Sequence, residues 1–457
     1  MFNMPRTSAI QRWHFYAGLV CLPFLILMAM TGGAYLFKNE INTLIYRPLF
    51  YVQSSSNSES LRAEQLINSA LYVVPGRATQ YIEPEALGRT AEVQILTVAG
   101  EKKSVYLDPQ SGKVLGTLED KWKLMEVIKN LHSLELVGKI SNQWIEVVAS
   151  WAIFLVVSGV FLYFPRFQQK GGYKIQGHPK QRTWWRDLHT TVGLTASVVI
   201  LFLAITGMPW SAFWGQQFSS LTNKFGIGLP KYLWSESPES SIPMQSLGSV
   251  PWTLTNTVLP KSTGHHANHD SEISQTRDKF GNSFHPIGIN KALEIYKNLN
   301  IPKGTPVNLP MEASGVYTAI SFPDDVRLER VVHIDQYTGA VLADIKYDDF
   351  GIAGRITEWG VSLHTGRQFG LVNKLVMLFG CLAIIALAFS ALVMWWKRRP
   401  VGRFGAPSNS QGKPIGFGVL IVILTLSVIY PLLGLTFLLS VIFNCLLPKN
   451  LKTKFGL

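Results

Sequence analysis

Trp13-His14-Phe15-Tyr16-Ala17-Gly18, followed by Thr31-Gly32, has a second copy in this chain. The copy is Leu188-His189-Thr190-Thr191-Val192-Gly193, with Thr206-Gly207 at the same offsets. Another pair of segments repeats in the same way. His132 is followed by Gly138, Ser158 and Phe164-Pro165-Arg166, and His364 by Gly370, Ser390 and Trp396-Lys397-Arg398, again at equal spacing. Each half of the chain therefore carries one histidine that opens an apolar run and one that precedes the next.

The runs themselves decide the class. Of the 457 residues 47% are apolar, and long apolar stretches occupy about 13–37, 143–164, 188–210 and 370–396. Each is long enough for a membrane-spanning helix. The first is too long for the apolar part of a signal peptide and contains His14, so it reads as a span. A fifth stretch, 416–447, is divided by Pro431. As one helix it would run roughly 48 Å, too long for one untilted span of a ~30 Å core, so it is either one broken helix or a hairpin of two short ones.

The net charge of +13 is explained by its placement. Arg166, Lys170, Lys174, Lys180, Arg182 and Arg186 share one short loop, and Lys397, Arg398, Arg399, Arg403 and Lys413 another. The positive-inside rule puts both loops, and the N-terminus with Arg6 and Arg12, in the cytoplasm. The basic excess is then topogenic, and nucleic acid is not an expected partner. The order that follows is a first span within 1–37, an external domain at 38–142, a second span at 143–164 and a basic loop at 165–187. A third span at 188–210, a second external domain at 211–369 and a fourth span at 370–396 come next. A linker at 397–415 leads to the C-terminal apolar segment, 416–457.

The external regions repeat too. Val105-Tyr106-Leu107-Asp108 leads through a turn to Gly112, and Val331-Val332-His333-Ile334-Asp335 leads to Gly339. Alternating strands around an Asp-x-x-x-Gly turn are a hairpin pattern. Asp108 and Asp335 read as side chains that hydrogen-bond their own turns. Upstream, 63–73 and 289–299 have the periodicity of short amphipathic helices. Each region is thus a small α+β module. The second is longer, and its excess, between Trp214 and Phe284, is rich in Ser, Pro, Asn and Gly and reads as loop.

Repeats of equal orientation imply a pseudo-two-fold axis along the membrane normal. Under it His14 faces His189 near one surface and His132 faces His364 near the other. Facing helices can offer haem iron two axial imidazoles across a bundle core. Gly18, Gly32, Gly33, Gly193 and Gly207 would let a flat macrocycle or another helix come close. Aromatic residues flank every candidate: Trp13 and Phe15, Trp184 and Trp185, Trp122 and Trp144, and Trp359. A lone boundary histidine is more often a cap or an interfacial residue. Four at repeated positions, kept while most other positions diverged, favour ligation over packing.

His265, His266, His269 and Asp270 form a second cluster, but without a counterpart in the other half and in a polar stretch they read as loop. His178, His285 and His333 also lack counterparts. Cys21, Cys381 and Cys445 all lie in apolar runs and read as small buried hydrophobes, which leaves no disulfide framework or haem-attachment motif. No phosphate loop, dinucleotide fingerprint or nucleophile triad is present, so any electron donor is external.

Taken together, Trp13-His14-x-x-x-Gly18, Leu131-His132, Asp187-Leu188-His189-x-x-x-Gly193, Leu363-His364-x-Gly366 and the two Asp-x-x-x-Gly turns resemble bacterial inner-membrane proteins with PepSY-associated transmembrane helices. The resemblance covers about residues 8–398. It implies a polytopic α-helical membrane protein: duplicated helix pairs, four main spans plus the C-terminal segment, carrying two small PepSY-like periplasmic domains. One branch of that family is similar to siderophore-iron reductases. On that branch His14, His189, His132 and His364 would be axial ligands of one or two b-type haems, and the activity would be oxidoreductase. The substrate would be a ferric siderophore and the donor a quinol or a cytoplasmic reductase. The catalytic residues stay unassigned, and Arg327, Arg330 and the tryptophans near 210–214 and 359 are conceivable contributors to a substrate site. Two rivals remain: a siderophore or solute transporter without redox chemistry, and a PepSY scaffold that binds a partner protein.

Overall fold

The structure is a computed structural model that describes residues 8–52, 59–138, 141–168, 173–230, 233, 239–262, 285–398 and 417–448. The first half of the chain runs α1 (Ser8–Tyr35), α2 (Lys38–Phe50), α3 (Ala63–Val73), β1 (Gly76–Ile82) and β2 (Ala91–Thr97). It continues with β3 (Lys102–Leu107), β4 (Val114–Glu119), α4 (Leu124–His132) and α5 (Ser141–Phe167). The second half repeats this order with one insertion. It has α6 (Arg182–Gly207), α7 (Trp214–Lys224), the inserted β5 (Glu239–Pro243) and β6 (Val258–Pro260), and α8 (Gly288–Asn298). Then come β7 (Pro306–Asn308), β8 (Val316–Ser321), β9 (Arg330–Asp335), β10 (Val341–Lys346), α9 (Ile352–His364) and α10 (Gly370–Arg398). Two further helices, α11 (Phe417–Ile429) and α12 (Pro431–Leu446), follow outside the repeat.

The chain divides into two compact units. The helical one comprises Met1–Phe37, Ile128–Phe218 and Leu363–Leu457. Four of its helices are long and apolar enough to cross a membrane: Ile10–Tyr35, Ser141–Phe164, Arg182–Trp210 and Gly370–Arg398. The third begins six residues before the apolar run at 188, because its first turns are held by a buried carboxylate. Asp187 accepts the Gln176 amide at 3.1 Å and pairs with Arg186 at 2.8 Å. Helix α1 packs on α5 and α10, and α6 packs on the same two, so α1 and α6 occupy opposite corners of the bundle. Within the spans, hydroxyl protons go to carbonyls of the preceding turn, as Ser150 does to Val147 and Ser197 to Leu194. That meets the polar hydrogen of each such hydroxyl in an apolar setting.

The segment 417–446 is two short helices. The chain leaves helical geometry at Tyr430 (φ −120°, ψ 84°) and Pro431 starts the second helix. Proline suits a first helical position, where its missing N–H is not needed. At about 20 Å and 24 Å, α11 and α12 are each shorter than a bilayer core. They are tied to the bundle by Trp151 Nε1 donating to Thr436 Oγ1 at 3.0 Å and Trp214 Nε1 donating to the Ile429 carbonyl at 2.8 Å. Trp13 and Phe437 stack at 4.4 Å between centroids.

The second unit comprises Lys38–Val127 and Ser219–Ser362. The two α+β modules do not stand as separate domains. Their meanders join edge to edge into one antiparallel eight-stranded sheet, ordered β10-β9-β8-β7-β1-β2-β3-β4. The seam pairs Gln80 with Asn308, Tyr81 with Val307 and Ile82 with Pro306, and Gln80 Nε2 donates to Asn308 Oδ1 at 3.0 Å. Joining removes one exposed edge from each module and lets α3 and α8 share a core that neither module is large enough to build alone. That core holds Leu66, Ala70, Val93, Ile95, Val105 and Leu107 from the first module, with Ile289, Ala292, Val307, Ala319, Val332 and Ile334 from the second.

The opposite face is covered differently in the two modules. On the first, α2 supplies Phe50 against Tyr106 (5.5 Å between centroids), and Lys123 is held by Glu92 at 3.1 Å and Asp120 at 2.8 Å. On the second, the described part of the insertion, 239–262, does this, which corrects the reading of that part of Trp214–Phe284 as loop. Met244, Leu254 and Leu259 are buried against Ile320, Val326, Val331 and Ile345. Each such side chain contributes about 1.5–3 kcal/mol on burial, and a few of them, spaced among Ser and Pro, hold residues 239–262 on the sheet; residues 263–284 lie outside the described residues. Both Asp-x-x-x-Gly turns form as read. Asp108 Oδ1 accepts the Gln110 amide at 2.9 Å, Asp335 Oδ1 accepts the Tyr337 amide at 2.8 Å, and Gly112 and Gly339 close them at φ +71°.

His333 lies fully buried on the insertion-covered face, 2.8 Å from Thr318 Oγ1. Burial pushes its pKa down to about 3, against about 6.5 in an unfolded chain. A depressed histidine pKa means the unfolded state binds the proton first. Its stabilising share is therefore complete above about pH 6.5 and is lost as the pH falls toward 3, by about 1.4 kcal/mol per unit. Thermal unfolding of the detergent-solubilised protein should drop between pH 6.5 and 4.5, and less so in His333→Asn. Equal pH profiles for the two proteins would remove His333 as the source.

Candidate functional site

The bundle brings the four repeated histidines together as two pairs. His14 on α1 and His189 on α6 stand at opposite corners, near enough for the charge of one to be felt at the other. His132 ends α4 and His364 ends α9, and neither lies in a span. Each instead reaches a threonine near the far end of one. Burial first, and then the neighbouring His132, hold the His364 pKa down to about 4. Thr31 and Thr206, which receive His132 and His364, lie seventeen residues beyond His14 and His189. The two levels are thus separated by about 25 Å of helix.

The hydrogen bonds of the imidazoles follow the repeat. His14 Nδ1 lies 2.8 Å from Ser158 Oγ and His189 Nδ1 3.0 Å from Ser390 Oγ. His132 Nδ1 lies 3.0 Å from Thr31 Oγ1 and His364 Nδ1 2.8 Å from Thr206 Oγ1. In every case the hydroxyl proton is already committed. Ser158 and Ser390 donate to the carbonyls of Leu155 and Leu387, and Thr31 and Thr206 to those of Leu27 and Phe202. An oxygen whose proton is spent can only accept, so each Nδ1 carries the hydrogen and each Nε2 keeps its lone pair. His189 Nδ1 also lies 3.1 Å from the Leu387 carbonyl, which accepts only, and this fixes the same tautomer independently. No hydrogen bond engages any of the four Nε2 atoms among the described residues. Neutral imidazoles oriented through Nδ1–H, with Nε2 available in pairs, are the donor set that a metal with two open axial positions requires. No three His, Cys, Asp or Glu side chains converge among the described residues; a haem iron asks for two.

Small residues lie against three of the rings. A Cβ at Gly32 would sit 3.2 Å from His132 Cε1, and one at Gly207 3.7 Å from His364 Cε1. Gly159 was missed in the sequence because its repeat partner is Ala391, yet a Cβ there would come 3.2 Å from His14 Cε1. Gly18 and Gly193 face Leu155 and Leu387 instead, and Gly33 faces Cys381 and Leu378.

Other candidates are engaged elsewhere. Arg330 makes a bidentate pair with Asp344, both contacts at 2.7 Å, and Arg327 is paired with Asp325 at 2.7 Å. Trp359 packs on the core under the insertion, and Trp13 on Trp151 and Phe437. Trp122, Trp144 and Trp210 are exposed. His178 accepts the Lys180 amide within its own turn. The cluster His265, His266, His269 and Asp270 lies outside the described residues, as do Lys170, Arg399, Arg403 and Lys413. One acid inside a span escaped notice. Glu146 on α5 is fully buried, and its Oε2 accepts the amides of Phe213 and Trp214 at 3.1 and 3.0 Å, capping α7.

The glycine contacts predict two opposite outcomes. Gly18→Ala meets only Leu155 at ordinary contact distance and gains helix propensity, so thermal stability in detergent should stay within about 1 kcal/mol of wild type. Gly32→Leu must displace the His132 ring and should cost about 1–3 kcal/mol. A wild-type melting curve for Gly32→Leu would mean that the ring does not rest on Gly32.

A comparison with curated proteins finds no match at a meaningful level. The profile of the PepSY-associated TM region matches residues 11–398, from just before His14 to the end of α10, and the chain is therefore a membrane protein of the PepSY-associated TM family.

Proposed function

We propose that this protein is a haem b-containing reductase of the bacterial inner membrane that passes electrons to a ferric siderophore in the periplasm, so that iron leaves as Fe(II). The observation that carries the reading is the set of four Nδ1–hydroxyl contacts, which leave four Nε2 lone pairs in two pairs. His14 and His189 would hold one haem and His132 and His364 a second. Bound there, haem supplies one-electron transfer at each level of the bundle. Ser158, Ser390, Thr31 and Thr206 hold the imidazole protons, and the apolar faces of α5 and α10 keep water from the rings. Arg182, Arg186, Lys397 and Arg398 mark the cytoplasmic end by the positive-inside rule, which puts the sheet unit on the periplasmic side. Oxygen chelators that suit Fe(III) hold Fe(II) far more weakly, and reduction alone then suffices for release. The donor is a quinol or a cytoplasmic reductase. For a transport reading the spans offer buried Glu146, whose Oε2 accepts two backbone amides and whose Oε1 has no partner among the described residues.

The test is the visible spectrum of protein purified in mild detergent, before and after dithionite. A Soret band that red-shifts, with split low-spin α and β bands, is expected. His14→Ala or His189→Ala should halve the haem per chain, and so should His132→Ala or His364→Ala. A double variant with one change in each pair should be colourless. Ferric siderophore added anaerobically should reoxidise the reduced wild type and yield Fe(II). Colourless wild-type protein, expressed with ample haem, would sink the proposal.

A further inference from the structure

Near the His14–His189 pair, the ends of α6 and α10 carry more cations than the described residues neutralise. Arg182 opens α6 and Arg398 closes α10. Arg186, one turn further into α6, is paired with Asp187 at 2.8 Å, and Lys397 donates to the Lys180 carbonyl at 2.8 Å. Arg182 and Arg398 have no such partner: neither makes a hydrogen bond or an ion pair among the described residues. Arg182 Nε is buried without an acceptor, and Arg186 and Arg398 stand close enough for their charges to act on it. An unmet guanidinium N–H and a concentration of like charge both disfavour the arrangement unless something else completes it. The chemistry that completes it is an oxyanion, since a guanidinium fork takes a carboxylate or a phosphate through two parallel N–H bonds.

A haem propionate and a lipid headgroup both present such an oxyanion, and placement favours the first. Arg182 is seven residues before His189 on the same helix, and Arg398 is eight beyond Ser390, whose hydroxyl holds His189. These are axial distances of about 10 and 12 Å, a gap that an arginine side chain and a propionate arm can bridge together. The repeat supplies this group on the other side only in part: position 398 is matched by Arg166, but position 182 by Thr7. We propose that Arg182 and Arg398 form a carboxylate site for the propionates of the haem that His14 and His189 would ligate. This rests on the reductase reading and extends it from the iron to the rim of the cofactor.

Arg182→Gln and Arg398→Gln remove side chains that have no partner to orphan among the described residues. Full-length variants in detergent are to be assayed for haem per chain and then titrated potentiometrically. The component lost in His189→Ala identifies the site concerned. That component should move to a more negative midpoint in both variants, because removing a cation beside the carboxylates favours the ferric state. The other component should stay in place, and Arg182→Lys should recover part of the shift. Unchanged midpoints at full haem content would overturn the assignment. So would a gain in wild-type thermal stability from phosphatidylglycerol in phosphatidylcholine nanodiscs that Arg182→Gln abolishes while the midpoints hold, since the oxyanion would then be a lipid phosphate. Wild-type protein without haem would instead refute the reductase reading itself, and this inference with it.

Discussion

Everything specific about the bundle depends on a hydroxyl group with its proton already spent. In an apolar span a serine or threonine settles its hydrogen on the carbonyl one turn back, as Thr31 does on Leu27 and Thr206 on Phe202. What remains is a lone pair aimed away from its own helix. An imidazole packed against it must donate from Nδ1, and its second nitrogen is left as a base. The arrangement needs no ion pair and buries no charge, which is why it is tolerated where a carboxylate partner would be expensive. Helix pairing, register and the glycines beneath the rings all serve to keep that contact at hydrogen-bonding distance.

The duplication is faithful in these contacts and loose around them. The hydroxyls on Ser158 and Ser390 even use equivalent carbonyls, Leu155 and Leu387. Departures concentrate where packing partners differ. Ala391 replaces Gly159, the far face of one module is closed by α2 with a lysine network and that of the other by an inserted apolar segment, and Glu146 has Leu378 as its repeat partner. Contacts that set chemistry are held by geometry on both sides at once. Contacts that only exclude water can be met by any side chain of suitable volume.

The four histidines, their hydroxyl partners and the four spans were legible in the sequence because a repeat marks positions that could not drift independently. The role of Ser158, Ser390, Thr31 and Thr206 was not, since offsets along a chain do not say which helix faces which. Gly159 was invisible because it has no matching glycine. The joined sheet left no signal because its seam is three residue pairs long, with Pro306 in it, too short to show a period. Met244, Leu254 and Leu259 were hidden by their polar neighbours: a 3₁₀ turn and a two-stranded ribbon bury isolated apolar residues without the spacing of a helix or a long strand.

The seam between β1 and β7 has a consequence for how such a chain could arise. A protein made of one half alone would own an open strand edge and a single histidine at each level, half of every site. It would complete each histidine pair only by meeting a second copy of itself, and the paired form would fall with the square of its abundance when scarce. Fusing the halves makes that encounter intramolecular and independent of concentration. It also ends the obligation of the two halves to be identical, and lets one acquire an insertion that a symmetric pair would have been forced to carry twice.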